Sequence, residues 1–336
     1  MKALRLFGAG DVRLMEEPEP TPGNGEVLLR IASVGICGSD LTWFASSGIG
    51  SARLERPFIL GHEFAAVAET GQYAGQLVAV DPSDPCGRCR FCAEGDPNLC
   101  EDQRFAGHAP YDGALREMMA WPEELLHPLP EQLNAEDGVM LEPLGVAIHA
   151  MDLGKVRLGD RVGVFGCGPI GLLLVQLAKA SGASRVLATE PLEHRLGLAA
   201  QFGAVASTAR TGDELGPLLE SDFKGGLDVA FEIAGENDAV EAAIRALRPG
   251  GTLVLGGIPR DDRTSFCASE ARRKGLTMKM VRRMKHTYPR AIDLALSGMV
   301  DLKPLVSHVF SLEEAEEAFA MAAAREGVKI CLSPLR

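Results

Sequence analysis

Four cysteines within fifteen positions form the most specific chemical pattern in the sequence. Their spacing is Cys-x2-Cys-x2-Cys-x7-Cys, over Cys86, Cys89, Cys92 and Cys100. Four thiolates at short spacing suit a tetrahedral zinc ion with no open position, which is a structural site. An iron–sulfur cluster also takes four cysteines, but the third gap is not a ferredoxin spacing. A redox Cys-x-x-Cys pair would leave two cysteines unexplained, so we expect structural zinc.

A second set of residues has the composition of an open metal site. Cys37, His62 and Glu63 lie on glycine-flanked turns, and Glu142 is an acid in an apolar run. A thiolate, an imidazole and a carboxylate, with water in the fourth position, are typical of catalytic zinc. Taken singly, each residue has an alternative interpretation. Cys37 could be a small buried side chain, His62 a structural histidine, and Glu142 an acid at a helix N-terminus. Neighbours on an extended strand point to opposite faces, so we expect Glu63 or Glu142 to bind zinc directly and the other through water or by exchange.

Ser39 lies two residues after Cys37, where its hydroxyl could accept or pass on a proton. The alternative is a serine that only caps the turn.

A glycine-rich loop, Gly166-Cys-Gly-Pro-Ile-Gly171, follows a predicted strand and opens a predicted helix. In that context Gly166 permits a tight turn, Gly168 lets a pyrophosphate approach the backbone, and Gly171 lets helix and strand pack closely. Glu190 follows Gly171 by nineteen residues. A carboxylate there binds ribose hydroxyls and repels a 2′-phosphate, which favours NAD over NADP. The alternative is that Glu190 only begins a turn.

The elements that must hold these loops divide the chain into two patterns. Residues 1 to about 140 contain short β-type runs broken by Gly and Pro, which predicts a mostly antiparallel β domain. From residue 162 to 257 strands and helices alternate, which predicts a doubly wound parallel sheet. The predicted strands there are Arg161–Phe165, Arg185–Thr189, Leu227–Phe231 and Thr252–Leu255, the last preceded by a turn at Pro249–Gly251; the predicted helices are 169–181, one ending at Phe202, and 239–247.

The last part of the chain returns to the first pattern. Ser311 and Glu314 form a capping box that opens an amphipathic helix, and a strand over residues 328–332 follows. A β-rich domain whose last strands come after the α/β segment is discontinuous in sequence. We expect a β domain of residues 1–145 and 283–336, with a cysteine lobe at 84–101, and an α/β domain of residues 146–282.

Composition excludes several classes of function. The net charge is -12, from 34 basic and 46 acidic residues, which argues against nucleic acid or an anionic membrane as the main partner. Apolar runs are far shorter than the roughly 20 residues of a membrane span, and the first residues do not resemble an export signal. We therefore expect a cytoplasmic protein, in whose reducing environment disulfides are not expected.

A basic cluster stands out in this acidic chain. It comprises Arg272, Arg273 and Lys274, and then Arg282, Arg283 and Lys285. Such a cluster is usually a solvated face. The sharper hypothesis is that Arg282 or Lys285 joins Arg283 in holding an acidic ligand.

Taken together, these residues resemble the zinc-containing medium-chain dehydrogenases, in particular the sorbitol/xylitol and threonine dehydrogenase branch. The resemblance covers essentially the whole chain. It implies a GroES-like catalytic domain, a Rossmann NAD-binding domain, one catalytic and one structural zinc per subunit, and hydride transfer from a secondary hydroxyl of a polyol to NAD. It also implies a homo-oligomer, with a tetramer favoured over a dimer. Its markers are Gly35–Asp40, Gly61–Glu63, the four cysteines, Asp112–Ala114, Glu142–Leu144, Gly166–Gly171, Arg248–Gly251 and Thr287–Pro289.

The resemblance also assigns roles residue by residue. Cys37, His62 and Glu63 fall on catalytic-zinc positions, and Glu142 falls where the polyol branch has a glutamate. The implied cofactor contacts are Gly166, Gly168, Ile170, Gly171, Glu190, Arg195, Gly257, Ile258 and Arg283. The implied substrate contacts are Ser39, Trp43, Phe105, Glu142 and Arg283.

Three residues depart from the family pattern. Thr42 stands where many relatives have a proton-relay histidine, Ala66 replaces a usual glycine, and Met284 stands where animal sorbitol dehydrogenases have a tyrosine. The alternatives are a threonine-type amino-alcohol dehydrogenase, a dehydrogenase of a sugar phosphate or sugar acid, and a non-enzymatic NAD-binding protein. The last would be expected to lack a zinc ligand, and no ligand is missing here.

Overall fold

The β-rich segments of the chain assemble into the first of two units. The computed structural model describes residues 1–336. The first unit comprises Met1–Glu142, Tyr288–Leu296 and Leu302–Arg336, and the second comprises Pro143–Thr287 and Ser297–Asp301. The first unit is therefore discontinuous in sequence.

Strands and helices are numbered in chain order. The strands are β1 Lys2–Gly8, β2 Asp11–Glu16, β3 Glu26–Gly35, β4 Gly48–Ile49, β5 Ala52–Arg53, β6 Phe58–Ile59, β7 Glu63–Ala68, β8 Leu77–Val80, β9 Ser83–Asp84, β10 Arg104–Phe105, β11 Met118–Pro122, β12 Leu126–Pro128, β13 Arg161–Phe165, β14 Arg185–Thr189, β15 Val205–Ser207, β16 Leu227–Glu232, β17 Leu247–Leu255, β18 Thr277–Met280, β19 Val306–Ser311 and β20 Lys329–Ser333. The helices are α1 Gly38–Ser46, α2 Arg90–Ala93, α3 Ala135–Gly154, α4 Pro169–Ala180, α5 Glu193–Gln201, α6 Gly212–Ser221, α7 Asn237–Ala246, α8 Ala268–Lys274, α9 Tyr288–Leu296 and α10 Ala315–Ala324.

A seven-stranded sheet organises the first unit. Its order is β12-β8-β7-β3-β20-β19, and β11 also pairs with β3. Strand β3 lies antiparallel to β7, with Gly35 opposite Glu63, and antiparallel to β20, with Gly35 opposite Cys331. The turn after β3, the start of β7 and the C-terminal strand β20 therefore meet at one place.

The second unit is a Rossmann fold. Six parallel strands run in the order β15-β14-β13-β16-β17-β18, so the strand order reverses at β13. Ligands of open α/β sheets bind outside the carboxyl ends of the strands at such a point. The strands are held by an apolar core that includes Phe165, Leu187, Phe223, Ala230 and Leu253. The fold class is therefore α/β, a GroES-like mostly-β unit with a Rossmann unit, as the sequence predicts.

One predicted local feature is wrong. Pro249–Gly251 was expected to be a turn before a strand, but it lies inside β17. Pairing with β16 shifts register there and resumes at Thr252 opposite Val229. Residues 248–251 form a bulge without partners on β16, in which Gly250 has a φ of +74°. The predicted capping box at Ser311 and Glu314 is present, and it opens a short 3-10 turn, Leu312–Glu314, that continues into α10.

None of the helices has both the length and the apolar character needed to cross a bilayer.

Candidate active site

The four clustered cysteines come together in the first unit. One sulfur atom from each of Cys86, Cys89, Cys92 and Cys100 lies within 4.8 Å of the others. The backbone N–H of Cys86 donates to the Cys100 sulfur at 3.4 Å, and Cys89 and Cys92 Sγ are 3.5 Å apart. Short helix α2 begins after Cys89 and carries Cys92 back toward it. Four converging thiol groups fit the donor set of a closed zinc site.

Cys37, His62 and Glu63 also come together, although they are distant in sequence. Their ligand atoms lie within 4.8 Å of one another. The register of β3 and β7 explains the meeting, because Glu63 opens β7 opposite Gly35 and Cys37 follows β3 by two residues. Strand alternation was expected to separate His62 from Glu63. It does not, because His62 precedes β7 and follows Gly61, whose φ is +93°.

Glu142 is buried near this trio but does not join the group of three ligand atoms. Burial raises the pKa of its carboxyl to about 7, and repulsion by Glu63 adds to the rise, against the opposing effects of His62 and Lys329. It lies well inside α3 rather than in its first turn. The alternative reading as a helix N-terminal acid is therefore wrong.

Asp40 links the two turns that carry Cys37 and His62. Its Oδ2 accepts the backbone N–H of Cys37 at 2.9 Å, and its Oδ1 accepts the N–H of Gly61 at 3.3 Å. The same Oδ1 is 3.6 Å from His62 Nδ1, which is buried and lacks a hydrogen-bond partner. Burial by itself lowers the pKa of His62. Asp40 and Cys37 raise this pKa by more than burial lowers it, so it lies well above the usual histidine value. An imidazole beside a carboxylate is the usual environment of a metal-ligating histidine, so the site fits a metal ion.

The glycine-rich loop of the second unit has the geometry that phosphate binding needs. Gly166 has a φ of +101°, and a Cβ there would lie 2.8 Å from Ala234 N. A Cβ on Gly171 would lie 1.9 Å from the carbonyl oxygen of Gly166. Only hydrogen fits at either position. Gly168 precedes the first turn of α4, which contains Ile170, so the N–H groups at the start of this helix are available to an anion.

Glu190 and Arg195 flank this loop. Glu190 Oε2 accepts the N–H of Cys167 at 2.8 Å, and Oε1 accepts the N–H of Leu192 at 3.2 Å. Arg195 Nη1 lies 3.9 Å from where a Cβ on Gly168 would be. A shallow cavity of about 420 Å³, largely open to solvent, lies at the end of β15 and is lined by Ser207, Thr208, Ala209, Arg210 and Glu214.

Both units match known families. Residues 23–131 match the alcohol dehydrogenase GroES-like domain, and residues 169–297 match the zinc-binding dehydrogenase family. The chain is 36% identical to the probable D-xylulose reductase A of Aspergillus clavatus, over 98% of this chain and 96% of the relative. It is 34% identical to the sorbitol dehydrogenase of Bacillus subtilis, over 100% and 98%. The chain belongs to the zinc-binding dehydrogenases. Among solved structures, L-idonate 5-dehydrogenase of Escherichia coli is similar, with a TM-score of 0.90, 28% identity and coverage of 99% and 97%.

In this dehydrogenase, one predicted substrate contact, Phe105, packs against the metal trio of Cys37, His62 and Glu63. The rings of Phe105 and His62 are 5.4 Å apart. Trp43 is 1% exposed, packs edge-on against Phe58 and His108, and its indole nitrogen has no hydrogen-bond partner. Ser39 is half-buried in the first turn of α1, one helical turn before Trp43 on the same face.

The remaining predicted contacts of the dehydrogenase lie in the second unit. A Cβ on Gly257 would lie 2.1 Å from Gly235 N, and Ile258 beside it is 59% exposed. Arg283 lies between β18 and α9 with a φ of +52°, and His286 has a φ of +48°. Left-handed backbone at two non-glycine residues is uncommon and is often found in ligand-binding segments.

The basic cluster of the dehydrogenase is divided in the structure. Lys274 Nζ donates to the carbonyl groups of Ile244, Arg245 and Leu247, so it caps the end of α7. Arg272 and Arg273 are exposed on α8. Only the second half of the cluster, at 282–285, lies in the segment with unusual backbone.

Two buried residues of the dehydrogenase site, Asp40 and Lys329, have no role that was predicted from the sequence. Lys329 is 2% exposed, donates to Glu63 and donates to the carbonyl of Ile36 at 3.1 Å. Burial by itself lowers the pKa of Lys329. Glu63 and Cys37 raise this pKa by more than burial lowers it, so it lies above the usual lysine value. The available signals were an acid three residues after Cys37 and a lysine inside an apolar strand.

Proposed function

We propose that this dehydrogenase oxidises a secondary hydroxyl of a polyol, with zinc at Cys37, His62 and Glu63 and with NAD as hydride acceptor. The observation that carries the proposal is the convergence of these three ligand atoms within 4.8 Å. The names of its relatives in Aspergillus clavatus and Bacillus subtilis support a polyol or ketose as the substrate class. Zinc would supply Lewis acidity that favours loss of the hydroxyl proton, and NAD would take up the hydride.

The chain's own residues would bind and orient the reactants. Asp40 would hold His62 with one ring nitrogen toward the metal, as carboxylates do for metal-ligating histidines. Glu142 would contact the metal through water, because its carboxylate lies outside the trio. Ser39 would receive the hydroxyl proton. Trp43 and Phe105 would contact the carbon chain of the substrate.

The second unit would bind NAD along the carboxyl ends of its strands. The pyrophosphate would lie against Gly166, Gly168 and the first turn of α4, where Arg195 adds positive charge. Glu190 would bind the ribose hydroxyls, and the cavity beyond β15 would receive the adenosine. The predicted contacts at Ile170, Gly257, Ile258 and Arg283 belong to the same proposal.

The four-cysteine lobe would hold a second, structural zinc.

We extend the proposal to a cytoplasmic homo-oligomer, a tetramer rather than a dimer. Eight unpaired cysteines support a reducing compartment. Sedimentation analysis of the zinc-loaded protein tests the oligomer directly.

The test of the proposed function is the initial rate of NADH formation by the zinc-loaded protein. Xylitol, sorbitol, galactitol, a hexitol phosphate, L-threonine and 2-butanol are compared side by side. We expect a polyol to be preferred, with activity lost in Cys37→Ser and kept in Cys267→Ser, which changes an exposed cysteine outside the site. Activity on threonine alone would assign the chain to the amino-alcohol branch. Inactivity on every compound would contradict the proposed substrate class.

A second candidate substrate is an acidic sugar derivative. The observation that favours it is the cationic pair Arg283 and Lys285 in a segment with left-handed backbone at Arg283 and His286, and a similar fold occurs in L-idonate 5-dehydrogenase. We expect Arg283→Gln to raise the KM for a hexitol phosphate more than the KM for the corresponding hexitol. Equal effects on both would exclude recognition of the acidic group by this residue.

A further inference from the structure

A buried lysine on the C-terminal strand connects Glu63 of the metal trio to the backbone just before Cys37. Lys329 opens β20, which pairs with β3 next to the Cys37 turn. Its ammonium group donates to Glu63 Oε2 and to the carbonyl oxygen of Ile36, the residue before Cys37. Lys329 and Glu63 are 2% and 1% exposed.

The surroundings leave little freedom to this pair. A Cβ on Gly35 would lie 2.5 Å from Glu63 Oε2, 2.7 Å from Val139 Cγ1 and 3.1 Å from Lys329 Cδ. The absence of a side chain at Gly35 is therefore what lets the lysine and the carboxylate meet. The ammonium group bonds to the Glu63 carboxylate and to the backbone next to Cys37, so a buried cation lies beside the ligand set.

We propose that Lys329 is a positioning residue of the metal centre, which engages one oxygen of Glu63 and leaves Oε1 to bind the metal. This inference rests on the proposed metal site but not on the identity of the substrate. A buried carboxylate without a fixed partner could rotate and offer both oxygens to a metal ion. By bonding to Oε2 and to the Ile36 carbonyl, Lys329 keeps the carboxylate monodentate and fixes the turn that carries Cys37.

The interaction also keeps the charge of the site balanced. The thiolate of Cys37 and the carboxylate of Glu63 would together neutralise a divalent cation, and Asp40 and Glu142 add two further buried acidic groups. The Lys329 ammonium offsets one further negative charge without occupying a ligand position. A lysine donates hydrogen bonds but has no group that accepts them while it is protonated, so it cannot compete as a ligand in that state.

The experiment compares Lys329→Met with Lys2→Met in protein loaded with Co(II) in place of zinc. Lys2 is a matched control because it also opens a strand of the first unit and pairs with a glutamate, Glu313, but both side chains are exposed. We expect the visible absorption of Co(II) to weaken in Lys329→Met, because a bidentate Glu63 raises the coordination number. The four-cysteine site is the same in all variants, so difference spectra isolate the change at the trio.

Two further results follow from the proposal. Lys329→Arg, which keeps a buried cation and donor, should restore most of the native spectrum. With a substrate that is turned over, kcat of Lys329→Met should fall at least about tenfold, as for other groups that orient metal ligands, while the KM for NAD stays unchanged. Lys2→Met should match the unchanged protein in both respects.

A native Co(II) spectrum in folded Lys329→Met would overturn the proposal and reduce Lys329 to a packing role. If that variant does not fold, Lys329→Gln is judged by the same criterion, since it also lacks the charge. The spectrum is readable whether or not any alcohol is oxidised. An altered spectrum in a protein inactive on every alcohol would therefore contradict only the proposed function.

Discussion

The backbone N–H of Cys167 donates to Glu190 Oε2 at 2.8 Å, which joins the glycine-rich loop to the end of β14. Glu190 is 6% exposed, and its other oxygen accepts the N–H of Leu192. The carboxylate is thus held at the place where a ribose would lie in the proposed complex. Its orientation is set by the loop itself and does not depend on a bound cofactor.

Changing Glu190 to glutamine should shift cofactor preference. The variant loses a charged acceptor for the ribose hydroxyls and the repulsion of a 2′-phosphate, so kcat/KM for NADP relative to NAD should rise about 10- to 100-fold. Rates with each cofactor at a fixed substrate concentration measure this ratio. Glu193→Gln, which neutralises an exposed carboxylate on α5, serves as control. An unchanged ratio would exclude Glu190 as the selecting group.

Alanine at Gly171 should abolish NAD binding. Its methyl group would lie 1.9 Å from the Gly166 carbonyl oxygen, so loop and helix would have to separate. Gly197→Ala is the matched control, because that glycine lies inside α5 with nothing within 4 Å of the added carbon. The control should be more stable by about 0.5–1 kcal/mol, since alanine favours helix. Calorimetric titration with NAD and thermal unfolding measure the two effects.

Four strands and three helices of the Rossmann unit were predictable because their signals are local. Arg161–Phe165 and Arg185–Thr189 are short apolar runs bounded by turn residues, and both strands have the predicted limits. Strands β15 and β18, of three and four residues, were not predicted because they carry too little pattern, and helices α6 and α8 were not predicted either. The start of β17 was predicted as a turn because Pro and Gly normally mark turns, whereas in the structure these residues form an unpaired bulge inside the strand.

The metal trio was predictable by residue type, but the contacts that hold it were not. Lys329 and Glu63 are 266 positions apart, and Asp40 and Gly61 are 21 apart. No periodicity connects such residues, because their meeting depends on the pairing of β3 with β7 and β20. The expected separation of His62 from Glu63 failed for a related reason. It assumed a continuous strand, whereas Gly61 turns the chain just before β7 begins.

Replacing Ser39 by alanine should lower turnover without weakening cofactor binding. If its hydroxyl receives the substrate proton, kcat should fall about 100-fold or more, as for other removed acid–base groups. The Kd for NAD, measured by fluorescence titration, should be unchanged, because Ser39 lies in the first unit on α1. Ser46→Ala, on the same helix, controls for helix effects. Parallel losses in kcat and NAD affinity would contradict a relay role.

Replacing Cys100 by serine should release one metal ion per subunit and destabilise the first unit. Cys100 is 3% exposed and its sulfur accepts the N–H of Cys86, so a hard, shorter hydroxyl cannot replace a thiolate ligand there. We expect about one zinc lost per chain and a midpoint of thermal unfolding lower by at least about 5 °C. Cys267→Ser, at an exposed position, should leave both unchanged. Full zinc content in Cys100→Ser would contradict the four-thiolate site.

Stability should depend on the protonation of His127 in mildly acidic solution. The His127 ring stacks on Tyr288 with centroids 4.5 Å apart and planes 6° apart, and the Tyr288 hydroxyl donates to Val80 O at 2.7 Å. Burial lowers the pKa of His127 to about 4. Since the unfolded chain has the ordinary pKa of about 6.5, only the unfolded state binds the proton between these values.

The free energy of unfolding should therefore fall as the pH drops from about 6.5 to about 4, by up to about 3 kcal/mol from this residue, and level off below that range. His127→Phe keeps a ring to stack on Tyr288 but cannot be protonated. The difference in unfolding free energy between native and variant protein, measured by urea titration, should thus change with pH over this window and be constant above about pH 7. Other groups, including metal ligands, titrate in both proteins and cancel in the difference. As a control, His308→Gln, at an exposed position, should show no comparable change of the unfolding free-energy difference with pH. A pH-independent difference for His127→Phe would mean that His127 is protonated as readily in the folded chain as in the unfolded one.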